Sequence, residues 1–264
     1  MLSFALNHMT VPSLTMKQLA ALTRELGLTG VELRNDLAVP LFDGQAPVVG
    51  LVDTLDVHAI AEVTAFNAFD DTVFEQAVEL MDLAVASGAH AIALIPQVGG
   101  DAISTDGLRR ALVALGPELA QRGVMGLIEP IGFENSTLRF KSQVVDLIEE
   151  LDMADQFGLI HDTFHHYLSG EDAYFPHYTK LVHISGVTDH ALAHSDIRDH
   201  HRGLVDGADR LGNVTQINEL LRGGYAGPLS FEAFSPNVHA DIDRKASLSR
   251  SIHFIENEVM ALAA

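Results

Sequence analysis

The sequence of 264 residues contains no cysteine, few basic residues and no long apolar segment. The absence of cysteine excludes disulfides, thiolate metal ligands and a cysteine nucleophile, and it is compatible with a reducing compartment. Only 16 Lys and Arg stand against 36 Asp and Glu, so the formal net charge is −20. Because binding to a phosphate backbone depends on clustered basic side chains, we do not expect nucleic acid as a partner.

Signals for a membrane or for secretion are also lacking. No run of about 18 apolar residues occurs, and the first ten residues, MLSFALNHMT, contain no basic residue of the kind that opens a secretory signal. We therefore expect a cytoplasmic protein without a membrane partner. The 47% hydrophobic composition allows a full-sized core, and no Pro/Ser-rich linker divides the chain, so we predict one domain over residues 1–264.

The chain does contain a repeated pattern, in which a helical segment ends at glycine and an apolar run follows. The passages LGLTGVEL, SGAHAIAL, RGVMGLIE and GGYAGPLSFE are four examples. Glycine suits the left-handed position that ends a helix. Ahead of the first passage, Leu19, Leu22 and Leu26 fall on one helical face, and Thr15 with Gln18 forms the pattern of a capping box. The repeat predicts alternating helices and strands.

About eight apolar runs have the length and composition of buried strands. They are Leu2 to Asn7, Gly30 to Arg34, His58 to Val63, Ala91 to Ile95, Val124 to Glu129, Gly158 to Asp162, Leu181 to Ile184 and Pro228 to Glu232. Alternation with helices implies parallel pairing, because a parallel connection needs a crossover of a dozen or more residues. The pattern predicts an α/β fold, a single-domain (β/α)8 TIM barrel. A doubly wound open sheet is the alternative, but no G-x-G-x-x-G follows the first strand.

The last four runs each end at or next to a side chain that can bind a metal ion. These side chains are Glu129, Asp162, His183 and Glu232. The carboxyl ends of barrel strands meet at one mouth, where the active sites of such barrels lie. Buried carboxylates that converge oppose one another's ionisation, and a divalent cation relieves the repulsion. The pattern predicts a site for one divalent ion, Mn²⁺, Mg²⁺, Co²⁺ or Zn²⁺.

Such a site suits proton transfer beside a carbonyl group. A divalent ion on the carbonyl and neighbouring hydroxyl oxygens of an α-hydroxyketone would stabilise an enediolate and make the α-proton removable near neutral pH. Glu129 and Glu232 would then be the catalytic base and acid as well as metal ligands. Isomerisation and epimerisation differ only in where the proton returns. A dehydratase, which begins with the same proton abstraction, and a non-catalytic polyol-binding barrel are alternatives.

Several motifs resemble the xylose isomerase-like TIM barrels, a family that includes inosose isomerases, ketose 3-epimerases, hydroxypyruvate isomerase and the endonuclease IV group. The resemblance covers nearly the whole chain and is carried by GLIEPIGF, the D-x-x-H of HDTFHH, LVHISGVTD, and SFEAF after DRLGNV. It implies that Glu129, Asp162, His183 and Glu232 hold one ion, with Mn²⁺ expected first, and that His165 contacts a sugar-type substrate. The greatest similarity is to isomerases of inositol catabolism that act on 2-keto-myo-inositol. Many members are dimers or tetramers, so the resemblance allows a homo-oligomer.

Other polar residues near the predicted strand ends are candidates for substrate contacts. Beside His165 they are His8, Arg34, Asn67, Glu134 and Arg210. Glu32 lies near the end of its apolar run, as Glu129 does. Because Arg34 lies two residues away, we expect Arg34 to neutralise the charge of Glu32. Phe66, Phe69, Phe133 and Phe234 are candidates for an apolar lid. No phosphate-binding loop is evident, so we predict an unphosphorylated ketose or keto-inositol as substrate.

The 14 histidines raise the alternative of an endonuclease IV-like nuclease with several zinc ions. Four of them, His190, His194, His200 and His201, lie between Thr188 and Arg202, where the mixture of Asp, His and Arg is typical of a solvated loop. The acidic chain also lacks the basic surface that DNA binding requires. The sequence therefore favours a one-metal isomerase or epimerase over a nuclease.

Overall fold

Eight parallel strands close into a barrel in the computed structural model, which describes residues 2–47, 55–100 and 105–263. The strands are β1 (Phe4–Asn7), β2 (Gly30–Leu33), β3 (Asp56–Thr64), β4 (Ala91–Ile95), β5 (Met125–Ile128), β6 (Phe157–Asp162), β7 (Thr179–Ile184) and β8 (Leu229–Phe231). Each strand pairs in parallel with the next, and β8 pairs with β1. The predicted (β/α)8 barrel is confirmed, and every predicted strand overlaps an observed one.

Helices connect the strands and form the outer layer. They are α1 (Met16–Glu25), α2 (Asp71–Ser87), α3 (Thr105–Arg122), α4 (Lys141–Leu151), α5 (Thr163–Ser169), α6 (Asn213–Arg222), α7 (Pro236–His239) and α8 (Arg244–Ala263). The predicted capping box opens α1, with the Thr15 hydroxyl accepting from the Gln18 backbone N–H and the Gln18 side chain accepting from the Thr15 N–H. Gly88 ends α2 at a φ of 75°, as a left-handed helix end requires. Among these helices, none is long and apolar enough to cross a membrane.

Apolar side chains fill most of the barrel, and a smaller number of buried polar side chains lie among them. A cluster from β3 to β7 is apolar and contains Ala59, Ala91, Ala93, Leu127, Ile160 and Leu181. Where β8, β1 and β2 meet, the buried side chains include Asn7, Glu32, Ser230 and Glu232, each at most 3% exposed. Buried polar side chains also stand at the carboxyl ends of β5, β6 and β7. Because burial of polar groups is costly unless they find partners, functional chemistry is to be sought at this end of the barrel.

Candidate metal centre

Glu129, Asp162, His183 and Glu232, which we call the ligand quartet, converge at the carboxyl end of the barrel. One potential ligand atom from each side chain lies within 4.8 Å of the other three. The Nδ1 atom of His183 is 3.3 Å from Glu129 Oε1, 3.8 Å from Asp162 Oδ2 and 3.2 Å from Glu232 Oε2. All four side chains are buried. Three carboxylates and one imidazole nitrogen aimed at one point form a donor set suited to a hard or borderline divalent cation.

The electrostatics of the ligand quartet also favour a cation. Burial, with the neighbouring Glu232 adding to it, raises the pKa of Glu129 and the pKa of Asp162 above their ordinary values. Although burial opposes it, the surrounding carboxylates raise the pKa of His183 well above its ordinary value, Glu232 most strongly. The shift of His183 and the contribution of Glu232 to the other two shifts reflect closely packed negative charge. The residues present therefore fit a divalent ion, which would supply the missing positive charge.

Glu32 sets the orientation of the His183 ring. Its Oε2 atom accepts a hydrogen bond of 2.9 Å from His183 Nε2, which leaves Nδ1 to face the three carboxylates. A carboxylate on the second nitrogen of a metal-binding histidine fixes both the tautomer and the ring plane. The expectation that Arg34 neutralises Glu32 is wrong. Glu32 points into the barrel, whereas Arg34 lies beyond the end of β2 and binds other carboxylates.

Two buried arginines hold the carboxylates in place. Arg202 Nη2 donates to Asp162 Oδ2 at 2.5 Å and to Glu232 Oε2 at 2.6 Å. Arg34 Nη1 donates to Glu232 Oε1 at 2.8 Å and forms a close ion pair with Glu62. Although burial opposes the shift, these two guanidinium groups and His183 lower the pKa of Glu232 well below its ordinary value. Glu232 is thus the most firmly ionised carboxylate of the ligand quartet.

Most of the segment between Thr188 and Arg202 is exposed, as predicted, but Arg202 itself is an exception. Its side chain is 1% exposed, and Ile197 in the same segment is fully buried. The segment folds back because Gly203 and Gly186 form an antiparallel bridge, and a Cβ atom at Gly186 would meet the Leu204 carbonyl oxygen at 2.7 Å. The one sequence signal for Arg202 is its position directly before the glycine of this bridge.

A cavity of about 170 Å³, which we call the inner chamber, lies over the ligand quartet. Glu129 and Glu232 line it, together with Arg34, Glu62, His165 and Arg202. Phe133 and Phe234 cover its apolar side, whereas Phe66 is fully buried in the core and Phe69 packs on Phe74, so two of the four lid candidates reach the chamber. The inner chamber thus offers carboxylates, guanidinium groups and an imidazole to a small polar molecule.

His165 and Glu62 are two titratable residues that line the inner chamber and lie outside the ligand quartet. Burial lowers the pKa of His165 to about 4, so its ring is neutral, and within the described residues its Nδ1 atom has no hydrogen-bond partner. Burial raises the pKa of Glu62 to about 8, although the Arg34 guanidinium opposes the shift. The sequence pattern did not identify Glu62 as a site residue, although a charged residue inside the apolar run HAIAEV is a signal that indicates one.

The remaining predicted substrate contacts lie away from the inner chamber. His8 Nε2 bonds to the Leu14 carbonyl at 2.7 Å, and the Asn67 side chain bonds to Thr137 and to the Gln97 N–H. Arg210 donates to the carbonyls of Asp189 and Leu192. Glu134 lines an adjoining cavity of about 440 Å³, which we call the outer chamber. The structure brings Arg34 and His165 to the ligand quartet, and a substrate role for the other four residues stays a prediction.

A second metal group is not found in the part of the chain that the structure describes. The ligand quartet is the one set of His, Asp and Glu side chains there whose atoms converge in this way. The rings of His200 and His201 lie tilted against each other with centroids 3.9 Å apart, and His190 bonds to the Ala208 carbonyl. The histidine-rich segment therefore provides no support for the several-zinc alternative.

Comparison with known proteins agrees with this geometry. The sequence profile of the xylose isomerase-like TIM barrel family matches residues 20–258. No curated protein sequence matches the chain significantly. A solved xylose isomerase domain-containing protein from Salmonella typhimurium LT2 superposes with a TM-score of 0.89 at 28% identity, over 97% of this chain and 97% of that one.

Two further solved structures share the fold at lower identity. The IolI protein with a bound zinc atom gives a TM-score of 0.78 at 16% identity, over 98% of this chain and 99% of that one. A D-allulose 3-epimerase from Methylomonas sp., in complex with D-allulose, gives a TM-score of 0.72 at 16% identity, over 97% of each chain. Because the family profile covers most of the sequence, the chain belongs to the xylose isomerase-like TIM barrel family.

Proposed function

We propose that this protein is a divalent-metal-dependent isomerase or epimerase that acts on an unphosphorylated ketose or keto-inositol. One observation carries the proposal: two members of the ligand quartet, Glu129 and Glu232, also line the inner chamber. Support comes from the zinc atom bound by the IolI protein and from the sugar bound by the D-allulose 3-epimerase. We propose Mn²⁺ as the working ion, with Zn²⁺, Co²⁺ and Mg²⁺ as alternatives, because oxygen ligands predominate.

The two chamber glutamates differ in a way that assigns their roles. When bound, a divalent cation would polarise the substrate carbonyl and stabilise the enediolate that proton removal creates. Glu129 has a raised pKa and contacts no arginine among the described residues, so it is the stronger base and removes the α-proton. Glu232 binds two guanidinium groups and is ionised before the reaction, so it orients the substrate hydroxyl groups. In isomerisation Glu129 would give the same proton to the neighbouring carbon. In epimerisation Glu232 would take a proton from water and deliver it to the opposite face, while Glu129 loses its proton to water.

The other chamber residues select and shield the substrate. The free Nδ1 atom of neutral His165 can accept from or donate to a hydroxyl group, depending on its tautomer. Arg34 and Arg202 are both engaged by buried carboxylates, so neither is free to neutralise a phosphate group. Phe133 and Phe234 exclude water from the reacting carbons. These contacts support an uncharged polyol substrate.

Glu62 supports a dehydratase as the second candidate. It lines the inner chamber, lies outside the ligand quartet, and has a pKa of about 8. A carboxyl group that keeps its proton near neutral pH can donate that proton to a departing hydroxyl group. Proton removal at the α-carbon followed by loss of the β-hydroxyl as water would then give an unsaturated ketone.

One experiment tests the proposal and separates the two candidates. The purified protein is analysed for bound metal and incubated in D₂O with a panel of ketoses and keto-inositols, and the products are examined by NMR. Isomerisation or epimerisation keeps the formula of the substrate and introduces deuterium at the α-carbon, whereas dehydration removes a hydroxyl group. Absence of both product and deuterium exchange across the panel with the metal-loaded protein would contradict both candidates and favour a binding protein.

A further inference from the structure

The outer chamber adjoins the inner chamber and has no part in the reaction proposed so far. The walls of the two cavities share Val98, Phe133 and Asp199. The inner chamber, at about 170 Å³, is smaller than a usual ligand pocket, which measures about 300–1,000 Å³. The outer chamber, at about 440 Å³, falls within that range. Together they have room for a molecule larger than the part that reacts.

Phe133 stands at the junction of the chambers and is held firmly there. Its ring meets His165 edge to face at a centroid distance of 5.3 Å and Phe164 at 5.9 Å. His165 lines the inner chamber, while Phe133 lines both. A substrate that reacts over the ligand quartet and continues outward would therefore pass along this aromatic ring.

The outer chamber combines apolar surface with side chains that form hydrogen bonds. Phe133, Leu168 and Ile197 provide the apolar part. Glu134 and Asn135 are exposed, and neither side chain has a hydrogen-bond partner within residues 2–47, 55–100 and 105–263. Such a wall matches a ring that has apolar C–H faces and hydroxyl groups at its edge.

The charges of the outer chamber point to an uncharged ligand. Two carboxylates, Glu134 and Asp199, are offset by the Arg198 guanidinium, with His194 beside them. Arg198 Nη1 already donates to the carbonyls of Ser195 and Ile197, so its position is fixed by the loop. A phosphate or carboxylate group would need a surplus of positive charge, which this wall does not provide.

We propose that the outer chamber binds a second, uncharged, hydroxyl-rich ring, so that the substrate is a glycosylated ketose or keto-polyol rather than a single sugar unit. The inference rests on the proposed function, because the reacting carbonyl must occupy the inner chamber. Binding of the second ring uses the apolar wall for its face and Glu134 and Asn135 for its hydroxyl groups.

Calorimetry on the metal-loaded protein tests this inference without requiring turnover. The probes are D-fructose and two glucosyl-fructoses, isomaltulose and leucrose, which carry glucose on the 6- and 5-hydroxyl of fructose. We expect at least one disaccharide to bind about tenfold or more tightly than fructose, because several added hydrogen bonds contribute about 0.5–1.5 kcal/mol each, less the cost of ordering the ring. Fructose binding as tightly as both disaccharides would overturn the proposal.

Variants locate the effect in the outer chamber. Ser195→Trp places an indole in the chamber and should reduce the ratio of fructose to disaccharide Kd to about one, because the second ring no longer fits. Glu134→Gln should reduce the ratio about threefold, since one charged acceptor becomes neutral. Glu258→Gln, on the exposed side of α8, is the matched control and should leave the ratio unchanged. An unchanged ratio in a folded Ser195→Trp protein would overturn the proposal.

Deuterium exchange measured on the same samples separates this inference from the proposed function. Tighter binding of a disaccharide without deuterium exchange into any compound would support the second binding site and contradict the proposed reaction. Equal deuterium exchange into fructose and both disaccharides, with no effect of Ser195→Trp on the Kd ratio, would support the proposed reaction and contradict the second binding site.

Discussion

Two buried polar clusters lie on opposite sides of β6, and they balance their charges differently. Asp162 points into the barrel and joins the ligand quartet, whereas the preceding residue, His161, points outward, as alternate strand residues do. His161 belongs to a second group, which we call the Lys141 cluster and which contains Lys141, His161, His166 and Glu171. Its rings and charged groups pack between β6 and the helices α4 to α6.

The charges of the Lys141 cluster are paired within the cluster. Lys141 Nζ lies 2.6 Å from His166 Nδ1 and 3.3 Å from Glu171 Oε2, so one ammonium group faces one carboxylate. Glu171 also accepts from the backbone N–H groups of Lys141 and Ser142 at the start of α4. Burial, followed by the nearby ammonium group, lowers the pKa of His166 to about 3 and keeps its ring neutral.

In the candidate metal centre the carboxylates outnumber the guanidinium groups that pair with them. Four buried carboxyl groups, those of Glu32, Glu129, Asp162 and Glu232, face the guanidinium groups of Arg34 and Arg202 and the imidazole of His183. The comparison shows how a structural cluster differs from a binding site. In the Lys141 cluster the charges have partners within the fold, whereas crowded carboxylates in the metal centre favour either protonation or a bound cation.

The largest expected difference between the clusters is in catalysis. Glu129→Gln or Glu232→Gln should lower turnover by about 10²- to 10⁴-fold, because an amide cannot transfer the proton. Some metal should remain bound, since the amide oxygen can still act as a ligand. Turnover and bound metal are measured on the same preparations.

The same substitution in the other cluster provides the control. Glu171→Gln should retain turnover in the folded protein, because the Lys141 cluster does not line the inner chamber. Full activity in either Glu129→Gln or Glu232→Gln would contradict the assignment of the chamber glutamates.

Glu171→Gln should instead lower the free energy of unfolding. Removing one partner of a buried ion pair costs about 3–5 kcal/mol, because the other charge is left without compensation. Lys141 is 4% exposed and would keep only a neutral imidazole and an amide as neighbours. Urea unfolding of the variant and the wild type measures the difference. A loss of less than about 1 kcal/mol would mean that water reaches Lys141.

The pH dependence of stability should reveal Lys141 itself. Burial lowers the pKa of Lys141 from 10.5 to about 8, against the raising effect of Glu171. Between these values the unfolded chain holds a proton that the folded protein lacks, so the contribution of Lys141 to stability rises with pH. The rise from pH 8 to pH 10.5 amounts to about 3 kcal/mol.

Comparison with Lys141→Met isolates this contribution. The free energy of unfolding of the wild type, measured relative to that of Lys141→Met, should increase as the pH rises over this range. A difference that is constant with pH would show that Lys141 titrates normally in the folded protein.

The barrel and the ligand quartet were predictable because both depend on local pattern. Each ligand follows an apolar run along its own strand, and parallel strands bring their ends together whatever the loops do. Arg202 and Glu62 were not predictable in this way. Arg202 reaches the centre only because Gly186 and Gly203 pair across the 16 residues between them, and Glu62 lies inside β3 rather than at its end.

The sequence pattern also did not predict which charged side chains pair with one another. Arg34 is two residues from Glu32, yet it binds Asp36, Glu62 and Glu232, while Glu32 binds a histidine 151 positions away. Alternate residues of a strand share a face only while the strand continues. Since β2 ends at Leu33, Arg34 is free to turn toward the mouth of the barrel.

The contact between Glu32 and His183 leads to the smallest of the expected effects, and it tests whether the centre extends beyond its ligands. Glu32→Ala should weaken metal binding by about 10- to 100-fold, because the His183 ring loses the acceptor that fixes its orientation. Glu32→Gln should lose less, since the amide oxygen can still accept from Nε2–H. Competition with a chelator measures the affinity, and Glu171→Gln is the control for a buried carboxylate lost elsewhere. If folded Glu32→Ala binds the metal with wild-type affinity, Glu32 is not needed to orient the His183 ring in the ligand quartet.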